Sequence, residues 1–175
     1  MWQASPNAGH RALVDIERRG NLSGIITQNV DGLHQAAGSN PTLVVEVHGT
    51  MQATRCTRCR DQRPMDETLD RVRAGEEDPP CLVCGGILKS ATISFGENLD
   101  PDVLDRAHLI AQSVNVFIVV GSSLSVYPAA GLAPTASRSG ARLVIINLEP
   151  TPYDDLADAV IPGNTSEVLQ AIAAG

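Results

Sequence analysis

The cysteines constrain the fold of this chain most, because all four fall into two Cys-x-x-Cys pairs. These pairs are Cys56 with Cys59 and Cys81 with Cys84. Four thiolates complete the tetrahedral coordination of one zinc ion and leave no open position for a substrate. The pattern therefore predicts one structural Zn²⁺ site, although the separation between the pairs is slightly longer than in most zinc ribbons. Redox-active dithiols are the alternative, and the lack of a thioredoxin-like context argues against them.

Length and charge exclude several classes of protein. The chain has 175 residues, 43% of them hydrophobic and 19% charged, which suits one compact domain or a domain with a small insertion. A net charge of −7 argues against a broad electrostatic contact with nucleic acid. No stretch has the apolar length of a membrane span, and the N-terminus lacks a signal-peptide pattern. Cysteines used as metal ligands rather than disulfides favour a reducing cytoplasm.

Apolar segments alternate with helical patterns along the chain, which predicts a parallel α/β sheet. Strands are expected at Ile25–Ile26, before His48, and over the runs VFIVV (116–120) and RLVIIN (142–147). Because these two runs are continuously apolar, they predict strands that are buried on both faces. ATISFGE predicts another strand that ends at Phe95–Glu97.

Helix signals occupy the intervals between these strands. Asp100-Pro101 predicts a helix start, and an alanine-rich helix is expected from Pro128 with a bend at Pro134. Residues 50–92 differ in character, with both cysteine pairs, an acidic proline-rich loop and a short helix that Asp66 would cap. They predict a small module that is inserted into the larger domain.

Four predicted strands finish in polar or small residues: TQNVD, VHG, GSS and NLE. Ligands of open α/β sheets bind outside the carboxyl ends of the strands, so four such ends predict a site. Ordinary turn residues are the alternative explanation for any one of them. His48, next to Gly49 and expected to face Asn29 and Asp31, is a candidate general base, whereas an isolated histidine with a structural hydrogen bond is the alternative.

These motifs, in this order, resemble those of the sirtuins, the NAD-dependent protein-lysine deacylases. The resemblance rests on TQNVDGLH, His48-Gly49, the two cysteine pairs, SFGE, GSSLSVYPAA and INLEPTP, and it extends from about Pro6 to the last helix. It implies an α/β fold, with a Rossmann-like parallel sheet in residues 1–49 and 93–175 and a zinc-binding module in residues 50–92. It also implies transfer of the acyl group from an acyl-lysine protein or peptide to ADP-ribose, with release of nicotinamide.

The resemblance also implies a role for each site residue. His48 would take a proton from a ribose hydroxyl after the acyl oxygen has displaced nicotinamide, and Asn29 and Asp31 would complete the catalytic edge. The residues that would bind NAD are Gln28, Asn29, Val30, Asp31, Gly121, Ser122, Ser123, Asn147, Leu148, Glu149 and Thr165. The residues that would flank the substrate peptide as added strands are Phe95, Gly96, Glu97, Leu124 and Val126.

Two departures from the family pattern affect these expectations. Lys89-Ser90 stands where many sirtuins have Arg-Pro. The first strand and the glycine-rich loop that follows it in the family are absent from these residues, so we expect exposed apolar strand edges, weak NAD binding and little turnover from this chain. A start codon assigned too late would explain the difference. A truncated, non-catalytic zinc- and peptide-binding module and a mono-ADP-ribosyltransferase remain as alternative functions.

Overall fold

A computed structural model describes residues 4–94 and 96–175, which form six α-helices and eight β-strands. The helices are α1 (Ala8–Arg18), α2 (Leu33–Ala37), α3 (Met65–Arg73), α4 (Pro101–Ser113), α5 (Leu132–Arg138) and α6 (Thr165–Ala174). The strands are β1 (Ile25–Thr27), β2 (Val44–Glu46), β3 (Gly49–Cys56), β4 (Gln62–Pro64), β5 (Leu88–Thr92), β6 (Val116–Val120), β7 (Arg142–Asn147) and β8 (Ala159–Pro162).

Parallel strands form two separate sheets. One pairs β1 with β2, with Ile25 opposite Val44, and the other has the order β6-β7-β8. Among the described residues no ladder of hydrogen bonds joins β1 to β6. The predicted parallel α/β architecture is confirmed in strand direction, but the sheet is divided at this point.

Helices cover both faces of the strands, and β7 lies at the centre of the core. Leu143 and Ile145 pack under α5, whereas Ile146 faces α1 and α6, and all three are 0% exposed. On the α4–α5 side one cluster joins both sheets, because Val45 of β2 and Phe117 of β6 both pack against it. Apolar packing therefore holds the two sheets together where backbone hydrogen bonds do not.

The prediction that β6 is buried on both faces is wrong. Val116 is 51% exposed and Ile118 38% exposed. The reason is position rather than composition, since β6 pairs with β7 on one side and is the edge of its sheet on the other. The expected apolar strand edge is thus present at β6.

Two helix starts differ from the sequence-based expectation. Asp100 accepts a hydrogen bond from the Asp102 N–H and caps α4 as predicted. Pro64, not Asp66, precedes α3, and Asp66 lies in its first turn. A 3₁₀ turn at Ala129–Gly131 delays α5 to Leu132, so Pro134 falls where the first backbone N–H groups have no intrahelical partner and does not bend the helix.

The segment that contains the cysteines is an antiparallel sheet with the strand order β4-β3-β5. The strand predicted to run to Phe95–Glu97 instead ends at Thr92, which pairs with Gly49. It ends there because its neighbour β3 begins at Gly49, and beyond Thr92 one further backbone hydrogen bond, from the Ile93 N–H to the His48 carbonyl, reaches the turn before β3. The division of the chain at residues 50 and 92 remains a prediction. Within residues 4–94 and 96–175, no helix is long and apolar enough to cross a membrane.

Candidate functional site

The four cysteine sulfur atoms converge on one point. All four Sγ atoms lie within 4.8 Å of one another, with Cys56 Sγ 3.5 Å from Cys84 Sγ and Cys59 Sγ 3.6 Å from Cys81 Sγ. Four sulfurs around one zinc at about 2.3 Å each would be about 3.8 Å apart. The cluster therefore fits the predicted structural zinc ion, and no disulfide connects these cysteines.

Backbone N–H groups stabilise the thiolates that a metal requires. The Arg58 N–H lies 3.4 Å from Cys56 Sγ, and the Val83 N–H lies 3.4 Å from Cys81 Sγ. Donation from the backbone of Cys59 and then of Arg58 outweighs the effect of burial and lowers the pKa of Cys56 to about 6. The pKa of Cys59 is instead raised to about 12, because donation from the Asp61 backbone is outweighed by the hydrogen bonds with Cys84 and Cys81 and by burial. A Cβ at position 86 would lie 2.9 Å from Cys56 Sγ. Because Gly86 has none, the backbone after Cys84 can approach the sulfurs closely.

His48 follows β2 in a turn and is half-buried. Its Nδ1 lies 3.2 Å from the carbonyl oxygen of Gln28, which can only accept, so Nδ1 carries a proton. In the neutral ring Nε2 is then the basic nitrogen, as a general base requires. The His48 carbonyl accepts a hydrogen bond of 2.8 Å from the Ile93 N–H, which fixes the backbone on its other side.

Strand ends from both parallel sheets meet at this edge. The Gln28 side-chain amide lies 3.4 Å from Ser122 Oγ, although the two residues are 94 positions apart. Ser122 Oγ also accepts from the Leu124 N–H, which shapes the loop after β6. The structure thus brings together the TQN and GSS segments that the sequence predicted as parts of one site.

Asn29 and Asp31 lie beyond the end of β1 and not in an extended strand, because the strand ends at Thr27. Asp31 Oδ1 accepts a hydrogen bond of 3.0 Å from the Leu33 N–H at the start of α2, whereas Asn29 is exposed. The Gln52 side chain donates to the Asp31 carbonyl at 2.9 Å. Asp31 therefore has a structural role in addition to the catalytic one that the sequence resemblance implies. Val30 is anchored beside it, as its carbonyl accepts from the Met51 N–H.

The remaining predicted NAD residues lie at the ends of β6 and β7. Gly121 has φ +59° and lies next to Thr165, whose Cγ2 would be 3.6 Å from a Cβ at Gly121. The Asn147 side-chain amide donates to the carbonyl of Glu149 at 2.8 Å and closes the turn after β7. Leu148 is 75% exposed at the tip of this turn. Ser123 is exposed in the loop after β6.

The predicted substrate residues show more departures. The Leu124 side chain is 5% exposed and belongs to the core, so only its backbone could face a peptide. Val126 is 45% exposed but lies in a loop rather than in a strand. Gly96 and Glu97 form a turn, and Phe95 lies outside the described residues.

Two cavities differ in their distance from these residues. One of about 360 Å³ is lined by Ala4, Gln35, Met51 and Gln52 together with Asp31 and its neighbours in α2. The larger one, about 490 Å³, lies at the opposite, amino-terminal end of β7, and none of the predicted site residues line it. The smaller cavity is therefore the one associated with the candidate site.

The sequence-based reasoning missed two histidines beside Asp31. The rings of His10 in α1 and His34 in α2 are 4.8 Å apart. Burial, followed by the nearby His10, lowers the pKa of His34, and burial is also the main reason why the pKa of His10 is lowered. No local pattern identifies this pair, because it forms only when α2 folds back against α1.

This geometry defines a class of protein. It is a parallel α/β protein with polar strand ends at one edge, a histidine held there by a backbone carbonyl, and a closed four-cysteine site. Residues 1–128 match the family model of the Sir2 family. The chain belongs to the Sir2 family, the sirtuins.

Individual relatives agree with this membership. A Streptomyces coelicolor protein named NAD-dependent protein deacetylase 2 is 55% identical over 98% of this chain and 71% of its own length. A Caldivirga maquilingensis protein named NAD-dependent protein deacetylase is 45% identical over 97% of this chain. This chain spans only 64% of that relative's length.

Solved structures give the same result for the fold. A Sir2 protein bound to an acetylated peptide superposes with a TM-score of 0.88 at 36% identity, over 97% of this chain and 70% of that one. A Sir2 complex with a p53 peptide and NAD⁺ has a TM-score of 0.87 at 37% identity, again over 97% of this chain and 70% of that one. The Rossmann-like fold with a cysteine module, expected from the sequence, is confirmed.

Proposed function

We propose that this protein is an NAD-dependent protein-lysine deacetylase, which transfers the acyl group of an acyl-lysine side chain to ADP-ribose and releases nicotinamide. The observation that supports this most directly is His48, held by its Nδ1 proton on the Gln28 carbonyl, at the edge where Gln28 also contacts Ser122. This arrangement places a base among hydrogen-bonding groups from two sheets. The relatives named as deacetylases and the Sir2 structure with an acetylated peptide support the same function.

His48 would act as the general base of this reaction. Bound at this edge, NAD would supply the ribose carbon that accepts the acyl oxygen, with nicotinamide as the leaving group. Nε2 of His48 takes a proton from a ribose hydroxyl, and the Gln28 carbonyl stabilises the imidazolium that results, because Nδ1–H continues to donate to it. Asn29 and Asp31 follow Gln28 in the segment after β1, and they would orient the nicotinamide and its ribose.

NAD would lie across the ends of β1, β6 and β7. The N–H groups of the loop after β6, Gly121–Ser123, would face the phosphates, and the turn Asn147–Glu149 would bind the adenosine ribose. Thr165 would lie near the adenine, because it is next to Gly121. Val30 and Leu148 would contribute from the same two segments.

The peptide and the metal would occupy the other side of the site. Gly96 and Glu97, with the backbone of Leu124 and the side chain of Val126, would flank an acyl-lysine peptide. Cys56, Cys59, Cys81 and Cys84 would hold one zinc ion, which stabilises the 50–92 module and takes no part in the reaction. Four thiolates need a reducing compartment, so we place the protein in the cytoplasm.

A peptide assay tests the function. The chain is incubated with an acetyl-lysine peptide and NAD, and deacetylated peptide and nicotinamide are quantified together by mass spectrometry. The Streptomyces coelicolor relative serves as the positive control, and the same peptide with unmodified lysine serves as the negative control. Because little turnover is expected from this chain, we expect small but equal amounts of both products, and both should be lost in His48→Ala. A mass gain of ADP-ribose on the peptide would favour the transferase alternative. The absence of both deacetylated peptide and nicotinamide would contradict the proposal.

A further inference from the structure

Lys89 is the only lysine in the sequence, in which the other 12 of 13 cationic residues are arginines. It lies in β5, and its side chain is 30% exposed. The ammonium lies 2.6 and 2.7 Å from the two carboxylate oxygens of Glu97 and 3.3 Å from the carbonyl oxygen of Thr92. Three acceptors therefore engage the three N–H donors of one ammonium.

The carboxylate that Lys89 binds also closes a turn. Glu97 Oε2 accepts from the Ser94 N–H at 2.9 Å, and the Glu97 N–H donates back to the Ser94 carbonyl at 2.9 Å. Donation from Lys89, followed by that from the Ser94 backbone, holds the pKa of Glu97 below its usual range. The carboxylate is thus charged and is shared between a strand of the cysteine module and the turn.

The same segment is attached to the catalytic histidine at its other end. The Ile93 N–H donates to the His48 carbonyl at 2.8 Å, directly before Ser94. Two anchors therefore fix this short piece of chain, one at His48 and the other at Lys89. Among the described residues, the reciprocal bonds between Ser94 and Glu97 would then be what holds its far end without Lys89.

We propose that Lys89 is a positioning residue for the peptide substrate, which acts through Glu97 to hold the Ser94–Glu97 turn in the geometry that binds the peptide. The inference rests on the proposed deacetylase function. A turn held in its binding geometry loses less conformational entropy when a peptide docks, so the effect belongs in peptide affinity rather than in chemistry. Lys89 does not bind the peptide itself, because its donors are already engaged.

The kinetic test compares Lys89→Met with the wild-type protein. We expect the KM for an acetyl-lysine peptide to rise roughly three- to tenfold, with kcat and the KM for NAD unchanged. Arg63→Met is the matched control, since Arg63 also forms an ion pair, with Asp61 at 2.8 Å, but on β4 away from this turn. An unchanged peptide KM in Lys89→Met, or an equal rise in Arg63→Met, would overturn the proposal.

A double-mutant cycle tests the route through Glu97. If Lys89 acts through that carboxylate, Lys89→Met should raise the peptide KM in the wild-type background but not in a Glu97→Gln background. Additive effects of the two substitutions would show that Lys89 acts on the peptide in another way, and would overturn the role as a positioning residue.

Calorimetry and a resonance of the single lysine separate this proposal from the proposed function. Labelling with ε-¹⁵N-lysine yields one side-chain ammonium signal, which should change in Glu97→Gln and shift when acetyl-lysine peptide is added without NAD. Peptide binding that is weakened by Lys89→Met, in a protein without deacetylase activity, would support the positioning role and reject the enzyme. Deacetylation with a peptide affinity that does not depend on Lys89 would support the enzyme and reject the positioning role. A protein that binds no peptide at all would reject both the positioning role and the deacetylase function.

Discussion

The cysteine module and the strand-end edge are built in opposite ways, although they meet at His48. The module consists of neighbouring strands, β3 to β5, and of four ligands that converge within one continuous segment. The edge draws on four strand ends, and one of its contacts, Gln28 to Ser122, joins residues 94 positions apart. A local structure with a metal site can form or be lost alone, whereas the edge requires the whole α/β core.

Removal of one zinc ligand should have the largest effect and should divide the two regions. Cys81→Ser leaves three thiolates, and a closed zinc site contributes on the order of 10 kcal/mol to folding. We expect zinc content far below one per chain, and loss of amide protection against hydrogen exchange in 49–92 while β7 remains protected. Simultaneous loss of protection in β7 would show that the core depends on the module, contrary to this comparison.

Replacement of the proposed base should lower the activity at the strand-end edge and leave the cysteine module unchanged. His48→Ala should lower deacetylation by about 10²–10⁴-fold, because a general base contributes that much, while the Kd for NAD changes little. Initial rates and titration calorimetry measure the two effects. His108→Ala is the control, since His108 bonds to the Leu104 carbonyl within α4. Turnover that survives in His48→Ala would remove His48 from the role of base.

Gly49 connects the two regions, so its substitution tests how closely they must meet. Its φ is +75°, and a Cβ there would lie 2.1 Å from the carbonyl oxygen of Ala91. We expect Gly49→Ala to lower the free energy of unfolding by about 2–4 kcal/mol in urea titration. Gly140→Ala, with φ +95° and no atom within 4 Å of the added carbon, should lose only the part due to backbone strain. Equal losses at both glycines would show that the close approach has no cost.

The smallest effect is expected from the histidine pair beside the edge. Because burial lowers the pKa of His34 below 6.5, the unfolded chain binds a proton that the folded chain does not. The contribution of neutral His34 to the free energy of unfolding is therefore fully present above pH 6.5, and it decreases as the pH falls below that value. His34→Gln should reduce the fall in Tm between pH 7.5 and pH 5.5, and His10→Gln should do so in the same direction. A steeper fall in either variant would contradict this sign.

Local signals predicted the parts of the fold that depend on neighbouring residues. Asp100 caps α4 at the expected place, and the cysteine spacing identified a cluster whose sulfurs do converge. The same signals failed for Pro134, because the 3₁₀ turn before α5 shifts the helix start. They also failed for the strand expected to reach Glu97, because its length depends on where its partner β3 begins.

Two apolar runs of similar composition show the limit of such signals. RLVIIN forms β7, whose Leu143, Ile145 and Ile146 are 0% exposed, whereas VFIVV forms β6 with Val116 and Ile118 exposed. Nothing within either run distinguishes them, since burial of a strand depends on what pairs with both of its edges. The tertiary structure decided which run became the centre of the sheet.

The sequence alone determined the class of the fold, the four cysteines that cluster and the polar groups that follow each strand, because each of these depends on spacing and on local hydrogen-bonding chemistry. Only the tertiary structure decided that Gln28 meets Ser122, that the Gln28 carbonyl sets the tautomer of His48, and that Lys89 binds Glu97. The physical reason is that a side chain's partner is chosen by proximity in the folded core, which local patterns along the chain do not specify.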